Sequence, residues 1–450
     1  MPDLSDVPAP APFDAPLLPS GGATFDSPLI GTAFAFAQTD RRVRVDPLTF
    51  ENGVALTPPQ ASEPEHGSSA VPSFEPAGPH RSIHFDPAEV VAGIVTCGGL
   101  CPGLNDVIRS LCQTLNERYG VRAVKGFQYG YNGLGPEPWA EPVTLDHAAV
   151  DRINDFGGTI LGTSRGPEDP GDMVDSLVRH GVKILFCVGG DGTMQGANEL
   201  AAEVARRELD IAIVGIPKTI DNDLLWTDRS FGFATAVGEA ARVLNGAHAE
   251  AISAWNGVGL VKLMGRYSGF IAAHAALASS DVNFCLVPEA PFEMDGPSGL
   301  LATLDRRLDR RRHALIVVAE GAGQHLIEDD TVHLDRSGNR KLADIGTWLR
   351  DRIARHFEAT GRIGTIKYLD PSYTIRSLPA NAFDSEFCVL LAQQAVHTAM
   401  AGRTACCVTS WNGRFVVVPL SLMVQGRRQI DPHSEEWQRV LMATGQPALR

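Results

Sequence analysis

An α/β fold of two Rossmann-like three-layer domains with mostly parallel sheets is what this 450-residue sequence predicts. Two observations carry the prediction. Short continuous apolar runs recur along the chain, too short for helices and typical of strands covered on both faces. Several empty into glycine turns after which apolar residues return at helical spacing, the alternation that builds a parallel sheet with helices on both sides. Length supplies the domain number, since single cores usually stop growing near ~250–300 residues.

In chain order, residues 1–80 hold 14 of the 30 prolines, with runs such as Pro8-Ala9-Pro10-Ala11-Pro12. Such composition buries too little apolar surface to offset chain entropy, so residues 1–88 read as an irregular extension, with order beginning near Ala88. Thr32 to Phe36 and Arg42 to Val45 are the pieces able to dock, as an interface arm or a passive tail. Val91-Ala92-Gly93-Ile94-Val95 is the first strand; it enters the loop Gly98-Gly99-Leu100-Cys101-Pro102-Gly103, and Val107, Ile108, Leu111, Cys112 and Leu115 follow at helical spacing. The unit recurs as Ile184 to Val188, the loop Gly189 to Thr193, and a helix with Ala197, Leu200, Ala201, Val204 and Ala205 on its apolar face. Gly158 to Leu161 reads as strand-like, and Ile211 to Ile216 as a strand ending at Pro217. A second series offers Gly259 to Leu263, Phe284 to Val287 and Ala314 to Val318 as strands. Its helix, Ser298 to Arg312, has a very basic side (Arg306, Arg307, Arg310, Arg311, Arg312), either a solvated face or an anionic contact across an interface. One domain therefore spans 89–232, completed by part of the returning segment 376–450, and a second spans 233–375. The apolar runs Cys406 to Val408 and Phe415 to Val418 belong to one or the other.

Composition excludes some functions. A formal net charge of −14 argues against a nucleic-acid surface but leaves phosphorylated substrates open, because these need only a local basic pocket. The eight cysteines show no repeated CxxC pairing and sit mostly in apolar runs, favouring buried thiols over a zinc site. Neither a run of ~18–20 apolar residues nor a basic, then apolar, leader is present, so a soluble cytoplasmic protein without membrane partners is expected.

The chemistry gathers where ligands of open parallel sheets sit, beyond the carboxyl ends of strands. Gly98-Gly99 and Gly189-Gly190 can cradle an anion through backbone amides, because glycine permits both the turn and the close approach. Asp191 follows two glycines, where a carboxylate packs nothing and would repel an anion unless a cation intervened; it is assigned to Mg²⁺. Thr193 either caps the next helix or touches phosphate. Thr219-Ile220-Asp221-Asn222-Asp223 sets two carboxylates two residues apart. Phosphoryl transfer to a sugar hydroxyl needs one of them to take the proton, here Asp221, and Asp223 supports it or helps organise the metal. Arg165, Arg266, Lys367 and Arg376 bring positive charge from separate loops, and a fork-shaped guanidinium suits phosphate.

With these residues in view, the chain resembles the phosphofructokinase family, more narrowly its long-chain plant and protist-like branch. The matching motifs are Gly98 to Asn105, Gly162-Thr163-Ser164-Arg165, Gly189-Gly190-Asp191-Gly192-Thr193, Pro217 to Asp223, Met264-Gly265-Arg266, Pro288-Glu289 and Tyr373-Thr374-Ile375-Arg376, spanning about 89 to 420. The resemblance implies a phosphofructokinase-like fold and Mg²⁺-dependent transfer to the 1-hydroxyl of fructose 6-phosphate. It puts the base at Asp221 and the metal at Asp191. Sugar contacts fall on Thr219, Asp223, Met264, Gly265, Arg266 and Glu289, and Arg165 stabilises the transferring phosphoryl group. Gly98 and the Gly189 to Thr193 loop hold the donor, while Lys367, Tyr373 and Arg376 are the local contacts of the 6-phosphate, which cations from a neighbouring subunit of a homodimer or homotetramer grip as well. Gly257 departs from the short bacterial enzymes, which carry an arginine there.

Donor choice within the family turns on two positions. Pyrophosphate users resemble one another in an aspartate where this chain has Gly192 and a lysine where it has Lys218. Gly192 leaves room for the α-phosphate of a nucleotide and removes a repulsion, and Lys218 is long enough to swing aside or to contact phosphate. The expected donor is ATP, with pyrophosphate the alternative. A non-catalytic nucleotide-sensing subunit would be expected to have lost Asp191, Asp221 or Arg266, and all three are present.

Overall fold

The computed structural model describes residues 10–18, 24–32, 35–37, 42–44, 49–51, 54–56, 71–327 and 341–449. Fourteen of its strands build two sheets. They are β1 (Pro10–Phe13), β2 (Val43–Arg44), β3 (Val71–Pro76), β4 (Val91–Thr96), β5 (Ala123–Phe127), β6 (Val143–Thr144), β7 (Ile184–Gly189), β8 (Ala212–Pro217), β9 (Gly257–Leu263), β10 (Phe284–Leu286), β11 (His313–Ala319), β12 (Thr365–Leu369), β13 (Cys406–Trp411) and β14 (Arg414–Pro419). The ten-stranded sheet runs β1-β3-β14-β13-β8-β7-β4-β5-β6, with β2 also on β3; the four-stranded sheet runs β10-β11-β9-β12 and is parallel throughout. In the larger sheet β13, β8, β7, β4 and β5 are parallel neighbours.

The middle strands form because apolar residues on both faces have somewhere to go. Every residue of β4, β7 and β8 is buried. Burying a side chain such as Phe186 contributes roughly 2–3 kcal/mol. Of the helices, α1 (Leu104–Gln113), α2 (Pro170–Arg179) and α3 (Asp191–Arg206) flank the larger sheet, α4 (Phe233–Ile252), α5 (Phe270–Ser279), α6 (Leu300–Arg311) and α7 (Ile345–Thr360) the smaller. The five-residue α8 (Ser372–Arg376) precedes α9 (Ala382–Met400), and α10 (Glu435–Thr444) closes the series. Each sheet thus carries an apolar cluster on both faces, the three-layer arrangement expected. Small residues bring α4 and α5 together, Ala236, Ala240 and Ala247 facing a cluster that includes Ala272, Ala273 and Ala276. The chain after α8 divides: α9, β13 and β14 pack with the larger sheet, whereas α10 packs on α5 and β10 of the smaller.

Two expectations change. Order begins well before Ala88: β3 joins the larger sheet through antiparallel pairing with β14, Val417 opposite Glu75, and β1 and β2 pair with β3. The proline-rich composition hides Phe74, which is fully buried. Phe36 packs against the core and Arg42 donates to Ser73, so both docking pieces do dock; Ala33, Phe34 and Val45 lie outside the described residues, as do Pro8 and Ala9. The other change is Gly158 to Leu161, which is a loop. Gly158 and Gly162 take positive φ (+81° and +63°), and the Asn105 side chain accepts the Ile160 N–H, so no strand neighbour receives it. All eight cysteines are buried free thiols. Among the described residues no helix is long and apolar enough to cross a membrane.

Candidate active site

The carboxyl ends of β4, β7 and β8, adjacent in the larger sheet, face those of β9 and β11 across a cavity of about 740 Å³. Its walls include Gly98, Gly99, Arg165, Gly190, Asp191, Gly192, Thr193, Lys218, Thr219, Asp221, Asp223, Met264, Arg266 and Arg376. Fourteen of the residues singled out from the sequence are therefore brought to one space.

Glycine chemistry shapes the donor side. Gly98 has φ +82°, and its amide and carbonyl bond Ser164 O (3.1 Å) and Thr163 Oγ1 (2.5 Å), stitching the first glycine loop to the Arg165 segment. A side chain on Gly99 would meet the Arg165 guanidinium at 3.5 Å. Gly189 lies beneath the cavity as the last residue of β7; a Cβ there would strike Thr193 Oγ1 at 2.0 Å. Gly190 is the N-cap of α3, and no side chain caps that helix, so Thr193 is not the cap. The uncapped N-terminal turn opens on the cavity, where helix amides and dipole favour an anion. Gly192 stands in this turn with open space beyond its α-carbon.

Lys218 differs from the swinging side chain expected. It is 7% exposed, and its ammonium donates to Gly99 O at 2.7 Å, bridging the loops that leave β8 and β4. Burial lowers its pKa, opposed by the Cys101 and Cys97 thiols.

Carboxylates stand beside these loops at the same sheet edge. Asp221 Oδ1 is out of solvent contact and has no hydrogen-bond partner. Burial first, then Asp223 and Glu320, push its pKa well above the usual range, with Lys218 and Arg266 opposing. Asp223 Oδ1 accepts from Thr219 Oγ1 at 2.5 Å and its carbonyl from Arg428 N–H at 2.8 Å, fixing the loop on both sides. Burial raises Asp191, and Arg427 opposes by pairing with it directly. The donor set fits Mg²⁺: the acids are oxygen-only ligands, Asp221 Oδ1 lacks a partner, and the neighbouring charges repel one another. Among the described residues no three His, Cys, Asp or Glu form a ready cage. Mg²⁺ is commonly held by one or two carboxylates, with phosphate oxygens and water completing its shell.

The sugar side is less complete. Gly265 has φ +124° and its Cβ would lie 2.4 Å from Ser268 O, so only glycine makes the turn that presents Met264 and Arg266, though Gly265 itself does not line the cavity. Glu289, expected to touch the sugar, also stays outside the lining. Its Oε1 accepts the N–H groups of Gly269 and Ile430 (both 3.0 Å), bracing the start of α5, while Oε2 is buried without a partner. Lys367 sits on edge strand β12, 3.9 Å from Glu250, and Tyr373 is 73% exposed with the Arg376 guanidinium 4.3 Å from its ring centre. Neither Lys367 nor Tyr373 reaches the cavity within one chain. Lys262 pins the preceding turn through Asp370 (2.9 Å), which places Arg376. Gly257 is buried in β9, where a Cβ would lie 2.1 Å from Ala251 O, so an arginine has no room at that position.

Sequence reasoning missed Arg427 and Glu320. Arg427 pairs with Asp191 and lies 3.8 Å over the Tyr267 ring, spanning the cavity. Its only sequence signal is a Gly-Arg-Arg step after an apolar run. Glu320 follows a buried strand at a glycine turn, the pattern that did reveal Asp191.

The comparisons agree with this geometry. Residues 91–399 match the phosphofructokinase family. An ATP-dependent 6-phosphofructokinase from Amycolatopsis methanolica is 48% identical over 438 residues, 95% of this chain and 94% of its own. One from Borreliella burgdorferi is 50% identical over 380 residues, 83% and 85% of the two chains, and one from Trypanosoma cruzi is 49% identical over 369, 81% and 75%. Among solved structures, the pyrophosphate-dependent phosphofructokinase of Nitrosospira multiformis superposes with a TM-score of 0.66 at 19% identity, over 80% of this chain and 93% of that one, a likeness of fold. With most of its motifs gathered on one cavity and both the family match and these relatives covering most of its length, the chain belongs to the phosphofructokinase family.

Proposed function

We propose that this chain is an ATP-dependent 6-phosphofructokinase, transferring the γ-phosphoryl group of ATP to the 1-hydroxyl of fructose 6-phosphate and releasing fructose 1,6-bisphosphate and ADP. The observation that carries the donor assignment is Gly192, in the open first turn of α3 with nothing beyond its α-carbon, in a chain whose relatives carry ATP in their names. Asp221 takes the proton of the 1-hydroxyl as that oxygen forms its bond to the γ-phosphorus and the bond to the β,γ-bridging oxygen breaks. Burial and neighbouring acids raise its pKa, which makes the ionised carboxylate the stronger base. Thr219 and Asp223 hold that loop and meet the sugar, with Met264 and Arg266, while Gly265 makes the turn between these two and Glu289 braces the start of α5. Arg165 offsets charge on the transferring group, and Gly98, Gly99, the 189–193 turn and Lys218 bind the donor phosphates. Mg²⁺ at Asp191, once Arg427 yields that carboxylate, would neutralise phosphate charge.

Arg376 meets the 6-phosphate in the cavity of its own chain, whereas Lys367 and Tyr373 meet that of sugar bound to a neighbouring copy, so the working form is a homodimer or homotetramer in the cytoplasm. A coupled assay of purified chain with fructose 6-phosphate tests the reading. Turnover is expected with MgATP. Turnover only with magnesium pyrophosphate sinks the donor assignment, and none with either sinks the enzyme.

A further inference from the structure

The N-terminal strand β3 carries a side chain that reaches the far side of the catalytic loop. Phe74 is fully buried, and its ring lies 5.6 Å from that of Trp226 at 72°, an edge-to-face contact. Trp411 of β13 lies on Trp226 as well (5.7 Å, 62°), and Phe13 of β1 backs Phe74 at 5.8 Å. Trp226 belongs to the 218–230 segment that begins with Lys218, Thr219, Asp221 and Asp223. Its φ is +56°, a left-handed conformation that a bulky residue keeps only where its surroundings dictate it.

That segment is one closed unit. Asn222, also left-handed at φ +57°, donates to Asp228 O (3.2 Å) and accepts from Ser230 N–H (2.8 Å), while the Ser230 hydroxyl donates to Thr219 O. Thr409 Oγ1 donates to Trp226 O at 2.8 Å, and Leu224 is buried in the same cluster as Phe74. A shift of Trp226 is therefore a shift of the turn that carries Asp221. Strand β3 is itself fastened: Arg42 donates to Ser73 O, Arg403 donates to Glu75 Oε1, and β1 and β14 pair on either side.

We infer that Phe74 is a positioning residue for phosphoryl transfer: through Trp226 the N-terminal segment holds the Asp221 turn in register with the donor. This gives part of the proline-rich start a task inside its own subunit. The inference rests on the proposed kinase activity for its kinetic arm only.

The test uses full-length chain with Phe74→Leu, Trp226→Leu and Trp226→Phe, and Ile353→Ala in the core of the other sheet as a stability control. A displacement of about 1 Å at reacting groups costs up to ~100-fold. Phe74→Leu and Trp226→Leu are expected to lower kcat about tenfold or more, with the fructose 6-phosphate KM within about threefold and faster amide hydrogen exchange at 219–230. Trp226→Phe, which keeps a ring, restores kcat to within about threefold of the parent. A Trp226→Leu kcat within about twofold of the parent overturns the inference, as does an equal kcat loss in Ile353→Ala at the same fall in Tm. Should Phe74→Leu not fold, the two Trp226 variants decide alone. Exchange at 219–230 is read without substrate, so a parent chain that turns nothing over defeats the kinase reading while unchanged exchange in Trp226→Leu defeats this one.

Discussion

The two walls of the cleft are finished to different degrees. On the wall of the ten-stranded sheet the groups around Asp221 are braced from behind: Lys218 is buried and bonded to Gly99, Thr219 to Asp223, and the glycine loop to the Arg165 segment. On the wall of the four-stranded sheet, Arg266 and Met264 line the cavity, but Lys367 stands on an edge strand whose burial alternates along its length, and Tyr373 is exposed. A preorganised wall suits the donor phosphates and the reacting atoms, where displacement is costly. An unfinished edge suits completion by a second copy, since an exposed strand edge otherwise invites pairing.

The largest expected effect breaks the braced wall. Asp221→Ser removes the proposed base and leaves the surrounding turn, which Asn222, Asp223 and Ser230 hold. Steady-state assay should show kcat lower by ~10²–10⁴, the usual contribution of positioned acid–base groups. Calorimetric titration should find fructose 6-phosphate binding nearly intact. A kcat near that of the parent removes Asp221 from the role.

Gly192→Asp tests the donor without disturbing the fold. The new side chain projects into open space, and a carboxylate in the first turn of α3 favours the helix dipole. What it meets is a bound nucleotide, so kcat/KM for MgATP should fall by roughly tenfold or more relative to that for magnesium pyrophosphate. An unchanged donor ratio in competition assays refutes the account that size and charge at 192 select ATP.

The braced wall was also the legible one. Parallel central strands are continuous apolar runs, so Ile184 to Val188 announces itself, and the carboxylates after β7 and β8 follow directly in sequence. Residues that act through tertiary contact gave no such signal. Arg427 meets Asp191 across 236 residues, and Phe74 meets Trp226 from a proline-rich stretch whose composition argued against order. Lys218 looked able to swing aside because its side chain is long, yet the Gly99 carbonyl that pins it comes from 119 residues earlier. The apolar Ile160-Leu161 pair misled in the opposite sense, since only the fold reveals that the Asn105 side chain takes the Ile160 N–H.

The unfinished wall yields the smallest effect and the sharpest contrast. Lys367 lies outside its own cavity, with an exposed side chain and, among the described residues, only Glu250 at 3.9 Å as an ionic partner. A surface pair of that kind is worth little, so Lys367→Ala should leave the Tm of the subunit nearly unchanged. If the lysine grips the 6-phosphate of sugar bound in the adjoining copy, its loss removes one charge-assisted hydrogen bond from ground and transition state alike. Such a bond contributes about 1.5–3 kcal/mol, which raises the fructose 6-phosphate KM at least about tenfold while kcat holds. The same KM should rise on dilution of the parent chain below its assembly concentration, and Lys367→Ala should blunt that dependence because the contact is already gone. A KM that ignores both the substitution and the protein concentration would mean that each subunit closes its sugar site alone.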